Sequence, residues 1–157
     1  MSFKKKLPLR KCVGIVVLNK ENKVFVGKRR DNPIDKWQMP QGGVNNGENL
    51  IDAMRRELKE ETGIKNFEIL NEINDWFEYE LPDYLLGKIW KGKYRGQKQK
   101  WFILRFLGDD NEIDLGNIKP EFIEWKWLDI DMLTGVIVEF KRNVYKKLVP
   151  KIKKIIN

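Results

Sequence analysis

Glu57, Glu60 and Glu61 fall within five residues, with Glu48 a short way ahead of them and the pair Gly42-Gly43 ahead of all four. Crowded carboxylates have two chemical uses. They hold hard divalent cations such as Mg²⁺, which take oxygen ligands and water, and they accept protons from water. Other chemistries are closed to this chain. It has no histidine, which excludes Ser-His and Cys-His nucleophile pairs and histidine-bound metals. Its one cysteine, Cys12, lies in the apolar run CVGIVVL and reads as a core thiol. A lone cysteine permits no internal disulfide and suits the cytoplasm.

The acids need an element to position them. Residues from about Asn49 to Thr62 predict a helix, closed by Gly63 as a C-cap. At about 100° per residue, Leu50, Ile51, Met54 and Leu58 form an apolar stripe, and Asp52, Arg55 and Lys59 lie opposite. Glu57, Glu60 and Glu61 occupy an arc adjoining the stripe rather than the far solvent face. Like charges three or four apart cost a few tenths of a kcal/mol each, and acids are favoured at the other end of a helix. Something positive should offset them: Arg56 reaching back toward Glu48, or a divalent cation. Taken alone, ELKEE is an ordinary solvated face.

Around this helix, strands are expected at 12–18 and 24–29 as a hairpin, at 67–73 and 75–81 on either side of Asn74, at 100–107 and at 121–130. RDNPIDKW, 38–47 and 82–99 read as loops. Phe140, Val144 and Leu148 mark a helix over 138–149, interrupted by Pro150, with KIKKIIN as a frayed, solvated tail over 150–157. The mixture predicts an α+β fold, an α/β/α sandwich with helices packed on a mixed sheet. One domain is expected over 1–157, and no apolar run is long enough to cross a bilayer, so no stable membrane association is expected.

The formal net charge is +8. Residues 1–20 hold six Lys or Arg and no acid, and residues 141–157 hold seven and no acid. This balance suggests a polyanionic partner such as a nucleotide or RNA.

Gly42, Glu48, Arg56-Glu57-Leu58, Glu60-Glu61, Gly63 and Ile64 together fit G-x5-E-x7-R-E-U-x-E-E-x-G-U, where U is apolar. This resembles the Nudix box, with all nine fixed positions met over 42–64. The resemblance implies a Nudix fold and metal-assisted water attack on a phosphoanhydride of a nucleoside diphosphate derivative, with Mg²⁺ or Mn²⁺ as cofactor. It implies that Glu57, Glu60 and Glu61 are metal ligands, that Gly42 lends its carbonyl and that Arg56 orients a catalytic carboxylate. Glu61 or Glu57 would be the general base, with Glu121 behind them.

WQMPQGG, GQKQKWF, PEFIEWKW and FKRNVY extend the likeness over residues 9 to 149. They resemble the branch of RNA pyrophosphohydrolases and dinucleoside polyphosphate hydrolases. That likeness implies Glu121 as a further metal-binding carboxylate, Arg10 and Arg29 at the phosphates, Gln97 and Lys98 facing the substrate, and Val138, Phe140 and Lys141 near the first base. Phe140 has a second reading as plain core. The substrates implied are 5′-triphosphate RNA, whose trimming starts mRNA decay, or a dinucleoside polyphosphate. A catalytically silent nucleotide- or RNA-binding module is the third reading, and the complete acid set argues against it.

Overall fold

A computed structural model describes residues 7–31 and 35–157. In chain order its elements are β1 (Leu9–Leu18), β2 (Val24–Arg29), β3 (Gln41–Gly43), α1 (Leu50–Thr62), β4 (Phe67–Glu80), β5 (Gly96–Phe106), β6 (Phe122–Leu128), α2 (Leu133–Val136) and α3 (Arg142–Ile156). The sheet runs β4-β5-β1-β2-β6, with β3 also pairing β1. β1 and β5 are parallel from Leu9↔Gly96 to Leu18↔Arg105, and the other pairings are antiparallel. The sheet is therefore mixed and flanked by helices, as the sequence leads one to expect.

β1 is central, so it must be apolar on both faces. Val13, Ile15 and Val17 pack with Met54 and Leu58 of α1 and with Phe102 and Leu104. Val16 and Leu18 pack on the other face with Trp101, Ile103 and the α3 residues Tyr145, Leu148 and Ile152. α1 begins where Asn49 caps it, its side chain accepting from the Asp52 N–H at 2.8 Å. It ends at Gly63, whose φ of 75° favours glycine and whose N–H donates to the Lys59 carbonyl. Ile51 departs from the expected stripe, being 40% exposed, while Ala53 and Thr62 are buried in its place.

Four further expectations need correction. The two strands around Asn74 are one strand, β4, which stays paired to β5 through register shifts between Ile69/Asn71 and Glu72/Trp76. β5 starts at Gly96, inside the expected 82–99 loop, because its polar side chains satisfy one another. Gln99 Nε2 donates to Gln97 Oε1 at 2.8 Å and to Gln41 Oε1 at 2.9 Å, and Trp101 Nε1 donates to Gln99 Oε1 at 3.1 Å. The expected 38–47 loop contains β3. Finally, α3 continues through Pro150 to Ile156, so 150–156 is helical. A proline here removes one backbone donor, but the buried stripe Val144, Leu148 and Ile152 carries the helix past it. The part of RDNPIDKW at 32–34 and the lysines of residues 1–6 lie outside the described residues.

Candidate active site

β3 is held antiparallel to β1 by the pairs Cys12↔Gly43, Val13↔Gly42 and Gly14↔Gln41. α1 lies against it so closely that a Cβ on Gly42 would stand 2.0 Å from Glu57 Cδ. Only glycine permits that approach, which sets the Gly42 backbone beside the Glu57 carboxylate.

Arg56 holds the site together. Its Nε and Nη2 fork onto Glu48 Oε2 and Oε1 at 2.8 and 2.9 Å. Nη1 donates to Glu57 Oε1 at 2.8 Å and Nη2 to the Gly43 carbonyl at 2.8 Å. Glu60 Oε2 is 3.5 Å from Nη1. This planar fork suits one guanidinium bridging two carboxylates. Hydrogen bonding to Arg56 pulls the Glu48 carboxyl down to about 2.

Glu61 has no such partner. It is 6% exposed, and its Oε2 is buried without a hydrogen bond. Burial raises its pKa well above the usual carboxylate range, and the negative charges of Glu57 and Glu121 add to this. The Gln41 backbone N–H and Arg29 act the other way. Burial also raises Glu57, against the pull of Arg56. Glu121 sits just before β6, 3.6 Å from Arg29 Nη2, while Arg29 forks onto Asp31 at 2.8 and 2.7 Å.

These groups open onto a cavity of about 1050 Å³. It is lined by Arg10, Arg29, Gly42, Glu57, Glu61, Gln97, Glu121, Val138, Phe140 and Lys141, all singled out from the sequence. Glu60 and Lys98 are not in its wall. Glu60 stands on the exposed side of α1 beside Arg56. Lys98 follows Gln97 along β5 and points to the opposite sheet face, 5.7 Å from the Trp76 ring centre. Phe140 lies in a short 3-10 turn ahead of α3 rather than in the α-helical stripe, and its ring centre is 5.7 Å from that of Tyr79.

Lys141 is buried, with Nζ 3.4 Å from Gln38 Oε1. Burial, then the charge of Arg29, lower its pKa to about 7. Cys12 is fully buried; burial raises its thiol to about 11, as suits a core residue.

Sequence reasoning missed the cavity's aromatic wall. Tyr79, Tyr84 and Trp90 line it, and Arg10 lies 5.4 Å from the Trp90 ring centre. Trp90 and Lys91 have φ of 52° and 58°, a left-handed backbone uncommon outside glycine. The one available signal was the run of aromatics in YLLGKIWKGKY.

Among the described residues no three acidic or thiol side chains already stand as a complete metal shell. The donor set nonetheless suits a hard cation. It offers carboxylate oxygens, the nearby Gly42 backbone and one buried carboxylate oxygen lacking a positive partner. Phosphate oxygens and water would complete the shell.

Residues 8–150 match the family model described as NUDIX domain. This chain belongs to the Nudix family. Its Nudix box spans β3, α1 and the turns around them, and the enzymes of this family are hydrolases of phosphoanhydride bonds that generally use divalent metals. The chain is 61% identical over 151 residues to the RNA pyrophosphohydrolase of Pelagibacter ubique, covering 96% of each chain. It is 49% identical over 145 residues to that of Cereibacter sphaeroides, covering 91% of this chain and 90% of the other. The Nudix fold recurs in the E. coli dihydroneopterin triphosphate pyrophosphohydrolase, with a TM-score of 0.69 at 24% identity over 93% of this chain and 99% of that one. It recurs also in a C. elegans Ap4A hydrolase, with a TM-score of 0.65 at 20% identity over 91% and 98%. No described helix is long and apolar enough to cross a membrane.

Proposed function

We propose that this Nudix enzyme removes pyrophosphate from the 5′-triphosphate end of RNA in the cytoplasm, and so starts mRNA decay. The observation that carries this reading is the 61% identity, over 96% of each chain, to a protein named RNA pyrophosphohydrolase. A cavity lined by acids, arginines and aromatic rings together supports the reading, because a triphosphate-ended strand carries both phosphates and bases.

Glu57, Glu61 and Glu121, with the Gly42 carbonyl, would hold Mg²⁺ or Mn²⁺; Glu60, expected from the sequence as a further ligand, faces Arg56 outside the cavity wall. When bound, such ions neutralise phosphate charge and make bound water acidic at neutral pH. Arg10 and Arg29 hold the phosphate chain. Arg56 fixes Glu57 by its fork and so sets the direction of that carboxylate. Glu61 Oε2, buried and without a partner, accepts the proton of the attacking water. Gln97, Val138, Phe140 and Lys141 form the wall against which the first nucleotides rest, joined by Tyr79 and Trp90.

The test compares a short 5′-triphosphate RNA with diadenosine pentaphosphate, both with Mg²⁺, using the Glu61→Gln protein as control. Faster release of the RNA's terminal phosphates supports the proposal. Faster cleavage of the dinucleotide replaces it with a dinucleoside polyphosphate hydrolase, and no turnover of either with Mg²⁺ or Mn²⁺ replaces it with a binding module.

A further inference from the structure

Lys11, Lys98 and Lys100 all point at one ring. Their ammonium nitrogens lie 5.9, 5.7 and 5.6 Å from the centre of Trp76. The four residues share the sheet face that carries α1, with Lys11↔Lys98 and Trp76↔Lys100 in register. Trp76 follows the register shift in β4 and keeps 39% of its surface exposed. Lys100 is buried and anchored, donating to the Asn74 carbonyl at 2.6 Å, so it braces the ring and leaves Lys11 and Lys98 to meet phosphate.

An exposed sheet face ordinarily neutralises such lysines with acids on the neighbouring strand. Glu78 does stand opposite Lys98, yet Lys11 and Lys98 form no ion pair among the described residues. The patch thus combines two lysines outside any ion pair with an indole that keeps part of its surface exposed, the pairing that holds single-stranded nucleic acid by its phosphates and one stacked base. It also lies on the strands that build the cavity. Arg10 and Gln97 line the cavity, and Lys11 and Lys98, the next residue on each strand, face the other side of the sheet. Arg10↔Gln97 and Lys11↔Lys98 are successive pairs beside the Leu9↔Gly96 end of β1 and β5, so the cavity and the patch lie one register step apart.

We infer that the Lys11–Lys98–Lys100–Trp76 patch is a second RNA-binding site, which takes the nucleotides downstream of the hydrolysed 5′ end. The inference rests on the RNA reading of the cavity and extends it.

The test uses the full chain with Lys11→Gln/Trp76→Ala and with Lys11→Gln alone. Two substrates are compared with Mg²⁺: a 5′-triphosphorylated dinucleotide, and a 5′-triphosphorylated single strand of about twelve nucleotides. The double variant is expected to lose about tenfold in kcat/KM on the long strand and nothing on the dinucleotide. Lys11→Gln alone should flatten the slope of log kcat/KM against log salt by about 0.7 on the long strand only. No loss on the long strand, or equal loss on both substrates, overturns the site while leaving the RNA reading in place. A wild-type protein that turns over neither RNA removes the RNA reading, and this site with it.

Discussion

Replacing Glu61 by glutamine should make the metal-free protein more stable while removing its activity. The wild-type carboxyl is buried, has one oxygen without a partner and faces the charges of Glu57 and Glu121. Glutamine keeps the shape and removes the charge. An unsatisfied buried polar group costs about 1–3 kcal/mol, and more when it is charged; glutamine still leaves a polar atom there, so what it recovers is the charged excess. Recovery of part of this, about 1–2 kcal/mol, raises Tm by roughly 2–8 °C in a domain of this size. The sign depends on pH. Because the folded pKa is raised, the native state binds a proton more readily than the unfolded chain. The wild-type carboxyl is therefore least damaging below its ordinary value of 4.5 and most damaging once the pH passes its raised folded value. The Tm advantage of Glu61→Gln should be widest at alkaline pH and should shrink as the pH falls toward 4.5. Added Mg²⁺ should reverse the order, since it stabilises only a protein that binds it. Calorimetry in chelator and in Mg²⁺, across pH, reads all of this. A variant less stable than wild type in chelator at neutral pH, or one that still turns over substrate, would refute the argument.

Other consequences follow from single contacts. Gly42→Ala puts a methyl group 2.0 Å from Glu57 Cδ, so the carboxylate must move; kcat/KM should fall by about 10²-fold with far-UV circular dichroism unchanged. Arg56→Lys keeps the charge but loses the fork onto Glu48 and Glu57, and titration with Mn²⁺ should show metal affinity about 10- to 100-fold weaker. Lys141→Met should stabilise the protein most below pH 7, where wild type buries a full ammonium. Since the folded pKa is lowered, that advantage should decline as the pH rises above 7, which urea denaturation at several pH values would show.

The sequence alone determined α1, because its signals are local. Asn49 caps it, Gly63 ends it, and a period near 3.6 residues marks the packed face. It also determined the type of chemistry, since the acids, the absence of histidine and the fixed spacing of residues 42–64 are all readable in one dimension. The paired elements were harder to read. The polar start of β5 is a strand because β1 and β4 supply ladder partners on both sides, and those partners are distant in sequence. Pro150 stays helical because Leu148 and Ile152 are buried against the sheet, a term that outweighs one missing backbone bond.

Tertiary structure alone decided which side chains meet. Gln97 and Lys98 look alike as neighbours in GQKQK, yet strand alternation sends one to the cavity and the other to Trp76. Glu57, Glu60 and Glu61 look alike on a helical wheel. Packing against β3 gives Glu57 to Arg56, leaves Glu60 in solvent and buries Glu61 with its Oε2 unpartnered. Spacing fixed the identity of these charges; the dielectric around each one and the atoms facing it come from segments far away in the chain, and those distinguish one glutamate from another.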